Sequence, residues 1–254
     1  MASRELTAAI AAARAAEDVI RAYYLKNPRV RLKPDLSPVT EADVRAEEVI
    51  RETLEREFPG YGFYGEETGQ HAMDAESLWI VDPIDGTKSF VREAPFFSTQ
   101  IALMRAGELV LGVSNAPVYD EIAWAEKGSG AFLNERAIRV SQVAQLNQAF
   151  VSTGNLMSLT EAPRWQRLAD LIRASERIRG YGDFVHYHLL ARGSLDVVIE
   201  TDVNILDIAA LVVIVREAGG TFTDLAGRAV ALDTESVLAT NGGLHQAVLG
   251  VFTR

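Results

Sequence analysis

The pattern of apolar and polar residues divides the amino-terminal part of the chain into two helices and a short extended region. Apolar residues at helical spacing predict a first helix over residues 4–25. Thr40, with Asp43 three residues later, is typical of a capping box and predicts a second helix that runs to Phe58. Asp43 then either only favours the helix N-terminus or has a further role, and the pattern leaves both open. Residues 30–39 are predicted as two extended pieces around a proline-rich turn.

The middle of the chain has short apolar runs separated by turn residues, which are typical of β-strands. Residues 61–64 predict an aromatic strand followed by a polar loop to Glu76, and residues 78–81 predict a buried strand that ends at Pro83. The segments after residue 97 predict an antiparallel meander, with strands at residues 98–104, 108–115, 121–126, 130–133 and 137–140.

The carboxyl-terminal part alternates strands with helices, which predicts a layered α/β arrangement. The predicted strands are residues 149–153, 178–182, 195–200, 221–225 and 237–240, and the predicted helices are residues 164–174, 184–191, 207–218 and a last helix from residue 244. Residues 141–148 connect the two patterns. We therefore expect two subdomains, residues 1–145 with the antiparallel sheet and residues 146–254 with the α/β units.

Composition and charge narrow the classes of function. A formal charge of −10 argues against a nucleic-acid binder, which normally presents a basic face, and suits a protein that gathers acids around metal. The absence of cysteine excludes disulfides, thiolate metal sites and cysteine nucleophiles. No apolar run reaches the roughly 20 residues that span a bilayer, and no targeting signal is recognisable, so we expect a cytoplasmic protein without membrane association.

Two acids lie close together at the carboxyl end of the predicted strand at residues 78–81. Asp82 and Asp85 bracket a Pro-Ile bend, so their side chains can converge, and Gly86-Thr87 opens a helical turn with free backbone N–H groups. Carboxylates that hold hard cations, beside amides that hold an oxyanion, are typical of phosphate chemistry. Lys88 could contact a phosphate or be solvated.

Two further acids are candidates for the same cluster. Glu66 follows the strand at residues 61–64, and pairing of that strand with its neighbour would bring it near Asp82, although adjacent acids such as Glu66 and Glu67 are usually only solvated. Asp207 begins an almost wholly apolar helix. It is either an N-terminal cap or, because a buried acid is costly unless it is paired or metal-bound, a metal ligand.

Several other catalytic classes lack their motifs in this sequence. The four histidines have no zinc-like spacing, and His186 and His188, two apart on a predicted helix, point in different directions. There is no Gly-x-Ser-x-Gly nucleophile elbow and no phosphate loop ending in Gly-Lys-Ser/Thr. The spacing of Asp82, Ile84 and Gly86 also departs from the EF-hand pattern.

Three separated motifs, taken together, resemble the inositol monophosphatase family of magnesium-dependent, lithium-sensitive phosphatases. They are Gly65-Glu66-Glu67, Asp82-Pro83-Ile84-Asp85-Gly86-Thr87, and Leu206-Asp207-Ile208-Ala209-Ala210 with Glu217-Ala218-Gly219-Gly220. The resemblance covers nearly the whole chain. It implies a five-layer α-β-α-β-α sandwich, hydrolysis of a small phosphate monoester with two or three Mg²⁺ ions, and a homodimer.

The resemblance also implies a role for each motif residue. The implied metal ligands are Glu66, Asp82, the carbonyl of Ile84, Asp85 and Asp207. Glu66 also belongs to the implied catalytic group with Thr87 and Asp43, of which the last two orient the attacking water. The backbone N–H groups of Gly86 and Thr87 hold the phosphate, and Glu200 contacts the substrate. One departure is Leu206, where the family usually has tryptophan, which bears on local packing but leaves Asp207 intact.

Within the family, the motif at residues 82–90 and residues 180–184 look more like the histidinol-phosphatase branch than like the inositol phosphatases. Inositol phosphatases usually have a small residue at Asp183, whereas histidinol phosphate offers an ammonium and an imidazole that Asp183 and Glu200 could bind. We therefore expect hydrolysis of histidinol phosphate in histidine biosynthesis. The alternatives are inositol 1-phosphate, fructose 1,6-bisphosphate or 3′-phosphoadenosine 5′-phosphate as substrate, and a non-catalytic regulator that binds phospholigands on the same fold.

Overall fold

The computed structural model describes residues 2–26, 30–32 and 38–253. Within these residues the α-helices are α1 (Arg4–Tyr23), α2 (Glu41–Glu57), α3 (Thr87–Val91), α4 (Arg164–Ala174), α5 (Asp183–Ala191), α6 (Ile205–Glu217) and α7 (His245–Phe252). None of the helices in this part of the chain has the length and apolar character needed to cross a membrane.

The strands of the described residues form two larger sheets and one two-stranded sheet. They are β1 (Val30–Leu32), β2 (Pro38–Thr40), β3 (Gly62–Gly65), β4 (Gly69–His71), β5 (Ser77–Asp85), β6 (Ser98–Arg105), β7 (Glu108–Ala116), β8 (Glu121–Glu126), β9 (Ala131–Leu133), β10 (Arg136–Ile138), β11 (Phe150–Gly154), β12 (Arg177–Arg179), β13 (Val197–Thr201), β14 (Thr221–Thr223) and β15 (Ser236–Thr240).

The larger sheet has eight strands in the order β10-β9-β8-β7-β6-β5-β3-β4, and its neighbours are antiparallel except for the parallel pair β3 and β5. The smaller sheet has the order β12-β11-β13-β15-β14, with β11 parallel to both of its neighbours. β1 and β2 form a separate antiparallel two-stranded sheet. The meander predicted after residue 97 is therefore confirmed.

Three apolar cores separate five layers. The first core lies between helices α1 and α2 and one face of the larger sheet, to which Trp79 and Val81 point. The second lies between the other face, with Leu78 and Ile80, and helices α5 and α6, which in turn pack on the smaller sheet. Helices α4 and α7 cover the outer face of the smaller sheet in the third core. The predicted five-layer α-β-α-β-α sandwich is confirmed.

The prediction that the strand beginning near residue 78 ends at Pro83 is wrong. β5 continues to Asp85, and its register with β6 shifts between the pairs Asp82–Gln100 and Asp85–Ser98. Pro83 lies in this bulge, where the missing backbone N–H interrupts no ladder bond. The bulge therefore allows the buried strand β5 to contain a proline.

Other boundaries also differ from the prediction. The polar loop predicted after residue 64 contains β4, whose polar residues give no apolar alternation. α1 ends at Tyr23 rather than at residue 25, since Leu25 adopts a left-handed φ of 62°. α6 begins at Ile205 rather than at Asp207 because Asn204 caps it. β12 and β14 are shorter than predicted, and the proline-rich turn at residues 33–37 lies outside the described residues.

The predicted subdomain boundary at residues 145 and 146 stays a prediction. Every strand of the larger sheet precedes this boundary, and every strand of the smaller sheet follows it. Helix α6, from the second part of the chain, nevertheless packs directly on the larger sheet of the first. Residues from the two parts therefore meet along one side of β5.

We expect Gly112→Ala to destabilise the fold, because α6 packs against β7 without room for a side chain at this position. A Cβ at Gly112 would lie 2.2 Å from the carbonyl oxygen of Ala210. Forcing the two elements apart should lower the free energy of unfolding by about 2 to 3 kcal/mol, measured by urea denaturation. Gly60→Ala is the control, since a Cβ there meets nothing within 4 Å. Equal stability of the two variants would contradict this close approach.

Candidate active site

Three aspartates from the two parts of the chain meet beside β5. Asp82 and Asp85 lie on β5, and Asp207 lies in the first turn of α6. Each offers a carboxylate oxygen, and these oxygens lie within 4.8 Å of one another. Asp82 is almost fully buried, whereas Asp85 and Asp207 are partly exposed. The structure therefore brings together three of the acids that the sequence singled out.

The bulge in β5 is what places two of these acids on the same side of the sheet. In a regular strand, side chains three positions apart point to opposite faces. Asp82 continues the face of Leu78 and Ile80, but Ile84 packs with Val81 in the opposite core, so the alternation is reset between residues 82 and 84. The backbone N–H of Ile84 donates to Asp82 Oδ1 at 2.9 Å and fixes this bend.

Gly86 turns the chain from β5 into α3. Its φ is 91°, and a Cβ there would lie 2.4 Å from the carbonyl oxygen of Phe96. Only glycine is suited to this combination of left-handed backbone and close approach. The backbone N–H groups of Ser89 and Phe90 donate to the Gly86 carbonyl, so the turn is that of a helix start. The N–H groups of the first helical residues have no partner within a helix.

Asp43 takes part in the cap of α2 and also contacts Thr87. The backbone N–H of Thr40 donates to Asp43 Oδ2 at 2.8 Å, which completes the capping box of α2. The hydroxyl of Thr87 lies 3.0 Å from Asp43 Oδ1 and 3.0 Å from the carbonyl oxygen of Ile84. Burial raises the pKa of Asp43, whose side chain has no exposed surface.

Asp207 likewise combines a cap with the acidic cluster. Asn204, not Asp207, is the N-cap of α6, and Asp207 is the third helical residue of the capping box. The backbone N–H of Asn204 donates to Asp207 Oδ2 at 2.9 Å. Asp207 therefore belongs both to the capping box of α6 and to the acidic cluster, and its role as a metal ligand stays a prediction.

Glu66 reaches the cluster through the parallel pairing of β3 with β5. Gly65 pairs with Val81, so Glu66 emerges from β3 beside Asp82. Its charge and a hydrogen bond between the two side chains contribute, after burial, to raising the pKa of Asp82. The predicted proximity of Glu66 and Asp82 is confirmed.

The carboxylates repel one another strongly in this partly desolvated position. Burial, then the charges of Glu66 and Asp85, raises the pKa of Asp82 well above its ordinary value. Burial, then the charge of Asp207, raises the pKa of Asp85. Burial likewise raises the pKa of Asp207 to about 7. A divalent cation would relieve this repulsion, and an all-oxygen set of donors suits a hard cation.

The other two predicted site residues lie next to the cluster. Asp183 begins α5 with a left-handed φ of 47°. Burial and the nearby charge of Glu200 raise the pKa of Asp183 to about 6. Glu200, on β13, is 4% exposed. The pKa of Asp85 is raised first by burial and by the charge of Asp207, and then by the charges of Asp183 and Glu200. Both of these acids are therefore near enough to act on Asp85.

Two residues that contact Glu200 were missed as site residues. The hydroxyl of Tyr187 donates to Glu200 Oε2 at 2.7 Å, and His186 Nε2 lies 3.1 Å from the same oxygen. His186 was considered in the sequence only for zinc-like spacing. No local signal links α5 to β13, because their contact depends on the packing of the smaller sheet. His188 points elsewhere, to Glu121 and Ser114, as expected.

Comparison with known proteins shows to which family the chain belongs. The sequence model described as "Inositol monophosphatase family" matches residues 2–253. The chain belongs to the inositol monophosphatase family.

Relatives and solved structures agree with this assignment. The chain is 41% identical over 255 residues to a histidinol-phosphatase of Mycobacterium tuberculosis, with 98% of each protein covered. It is 37% identical over 219 residues to an inositol-1-monophosphatase of Caulobacter vibrioides, covering 83% of this chain and 85% of that protein. The crystal structure of extragenic suppressor protein suhB from Bartonella henselae is similar with a TM-score of 0.91 and 32% identity, over 99% of both chains.

Membership in the inositol monophosphatase family confirms the resemblance seen in the motifs. Members are phosphoric monoester hydrolases that act on small phosphate monoesters and are generally metal-dependent.

The departure at Leu206 has a simple packing outcome: its side chain is 6% exposed and belongs to the core between the two sheets. Lys88 is exposed, so the structure leaves both of its interpretations in place.

We expect Asp85→Asn to stabilise the metal-free protein, since it removes one of the mutually repelling charges. In chelator at pH 8, above the pKa of about 7 of Asp207, the free energy of unfolding should rise by about 1 to 3 kcal/mol. When folding raises the pKa of a carboxyl, the free energy of unfolding of the protein falls as the pH rises through that raised pKa. The gain should therefore shrink at pH 5, as followed by urea denaturation.

Asp74→Asn is the control for this prediction, since Asp74 is an exposed acid outside the cluster. Its effect on the free energy of unfolding should stay within about 0.5 kcal/mol. If Asp85→Asn were less stable than the unmodified protein in chelator at pH 8, the repulsion described here would be contradicted.

Proposed function

We propose that this enzyme hydrolyses histidinol phosphate to histidinol and phosphate with Mg²⁺ as its metal, in the cytoplasm, as a homodimer and as a step of histidine biosynthesis. The observation that carries the choice of substrate is the second acidic pair, Asp183 and Glu200, beside the three aspartates. Relatives named histidinol-phosphatase, at 41% and 36% identity, support the same choice.

The donor set suits two or three Mg²⁺ ions. We assign Glu66, Asp82, Asp85, Asp207 and the carbonyl oxygen of Ile84 as the residues that would hold them. With Mg²⁺ held by these residues, the pKa of a bound water would be lowered, and the negative charge of the phosphate oxygens and of the leaving alkoxide would be stabilised. Magnesium prefers oxygen ligands and uses few carboxylates, which matches this set.

Thr87 and Asp43 orient the attacking water in this proposal. The Thr87 hydroxyl has its proton directed to Asp43 Oδ1 or to the Ile84 carbonyl, each 3.0 Å away. A hydroxyl that donates in this direction keeps its lone pairs for a water O–H. Asp43 is itself held by two hydrogen bonds from Thr40, at 2.8 and 2.6 Å, so the carboxylate that faces the Thr87 hydroxyl is fixed in place. The water is thereby aimed for in-line attack on phosphorus.

The phosphate is held at the start of α3. The backbone N–H groups of Gly86 and Thr87 are assigned to this role because they open the helix beside Asp85. Backbone N–H groups at a helix start are donors suited to an anion. They hold the phosphoryl oxygens while Thr87 also contacts Asp43.

The acidic pair would recognise the positive part of histidinol phosphate. Asp183 is the first residue of α5 and is only partly buried, so its carboxylate is available to the ammonium of the substrate. Glu200 is held by Tyr187 and His186, which restrict its carboxylate to one position. Inositol phosphate has only hydroxyl groups outside its phosphate, and it gains less from two acids.

Inositol 1-phosphate is the second candidate substrate. Relatives named inositol-1-monophosphatase reach 37% identity, which supports this alternative. Fructose 1,6-bisphosphate stays a further candidate, since a relative of Thermotoga maritima at 36% identity is named for both substrates. A non-catalytic regulator is disfavoured, because Asp82, Asp85 and Asp207 lie together and Thr87 contacts Asp43.

We expect histidinol phosphate to have the highest kcat/KM among a panel of four phosphate monoesters assayed with Mg²⁺. The panel comprises histidinol phosphate, inositol 1-phosphate, fructose 1,6-bisphosphate and 3′-phosphoadenosine 5′-phosphate. Release of inorganic phosphate measures turnover for each. A higher kcat/KM for any of the other three would contradict the proposed substrate, and binding of Mg²⁺ without turnover of any would favour the regulator.

We expect Asp183→Asn to lower kcat/KM for histidinol phosphate by roughly 30-fold, the effect of losing one close charge pair worth about 2 kcal/mol. Asparagine tolerates the left-handed backbone at residue 183, so the loss should come from the charge. Turnover of inositol 1-phosphate should change by less than about threefold, since no ammonium is present.

Asp120→Asn is the matched control, because Asp120 has a similar φ of 50° but is exposed and pairs with Arg21. It should leave both activities unchanged. An equal loss of both activities in Asp183→Asn would remove the reason for preferring histidinol phosphate.

A further inference from the structure

A further acid near the site, Glu47, has no part in the chemistry described above. Glu47 lies on α2 and its side chain has no exposed surface. Its carboxylate accepts the backbone N–H of Glu67 at 2.9 Å and that of Thr68 at 2.7 Å, one on each oxygen. A buried carboxylate that accepts two backbone N–H groups forms charge-assisted bonds of defined geometry.

The chain is also held against Glu47 on the other side of Glu66. A Cβ at Gly65 would lie 2.5 Å from Glu47 Oε1 and 2.7 Å from Oε2. The backbone at Gly65 therefore passes directly over the Glu47 carboxylate. The backbone N–H groups of Glu67 and Thr68 then bond to the same carboxylate. Glu66 consequently lies between Gly65, whose backbone passes close to the Glu47 carboxylate, and residues 67 and 68, which are bonded to it.

The same helix also fixes the opposite side of the site. Asp43 precedes Glu47 by one helical turn, so the two side chains lie on the same face of α2. Asp43 contacts Thr87, and Glu47 holds the turn that carries Glu66. One rigid helix therefore sets the distance between the Glu66 turn and the start of α3.

We propose that Glu47 is a positioning residue that holds Glu66 beside Asp82 and thereby sets the affinity of the site for its metal ions. It is not a catalytic residue, because its carboxylate is occupied by the backbone of residues 67 and 68. This inference rests on the proposed role of Glu66 as a metal ligand. Groups that orient metal ligands commonly change metal affinity by about 10- to 100-fold when they are removed.

The test is titration calorimetry of Glu47→Gln with Mg²⁺ alone, without substrate. Glutamine keeps the shape, but its amide can accept only one of the two N–H groups and opposes the other with its own donors. The dissociation constant for Mg²⁺ should rise by about 10-fold or more. At saturating Mg²⁺ the KM for histidinol phosphate should stay within about twofold, since the substrate contacts are intact.

Glu48→Gln is the matched control, because Glu48 is the neighbouring glutamate on the same helix and pairs with Arg45 on the surface. It should bind Mg²⁺ as the unmodified protein does. Thermal unfolding in chelator establishes that each variant is folded. A folded Glu47→Gln with unchanged Mg²⁺ affinity would overturn the proposal.

Amide hydrogen exchange of the unmodified protein tests the anchor without any variant, and so applies even if Glu47→Gln fails to fold. In chelator, the amides of Glu67 and Thr68 should be protected to the extent of those in β3, because Glu47 holds them without metal. Exchange as fast as in an open loop would overturn the proposal. If the unmodified protein did not bind Mg²⁺, the proposed function would be contradicted. If Glu47→Gln lost Mg²⁺ affinity but the unmodified protein did not hydrolyse histidinol phosphate, the role of Glu47 would stand and only the proposed substrate would be wrong.

Discussion

Repulsion between carboxylates at the junction of the two sheets is the constraint on which the rest of the site depends. Asp82, Asp85 and Asp207 present oxygens within 4.8 Å of one another, and Glu66 adds a fourth negative charge. Such a cluster is unfavourable for folding unless protons or cations neutralise it. The surrounding fold therefore has to hold these side chains in place against their own electrostatics.

Helix caps and a strand bulge supply that restraint. Asp43 and Asp207 each accept the backbone N–H of the residue three positions earlier. Each of these two acids therefore also stabilises the start of its helix. The bulge at Pro83 turns Asp85 to the side of Asp82. Local interactions worth roughly 1 kcal/mol each thus fix charges that would otherwise separate.

Sequence alone predicted the elements and the acids better than the contacts between them. The capping box located α2, short apolar runs between turn residues located the strands of the meander, and the motif around Asp82 contained two of the three clustered aspartates. The bulge was not predicted because proline usually ends a central strand. β4 was not predicted because its residues are polar. The contacts of Glu200 with Tyr187 and His186 join residues from separate elements, which no local pattern can show.

Anomalous diffraction from crystals soaked in Mn²⁺ tests most directly whether the acid cluster binds metal. Manganese prefers oxygen ligands as magnesium does and gives an anomalous signal. We predict a strong anomalous peak within coordination distance of Asp82, Asp85 and Asp207. The absence of a peak at these side chains, in crystals where Mn²⁺ saturates the protein, would contradict the account.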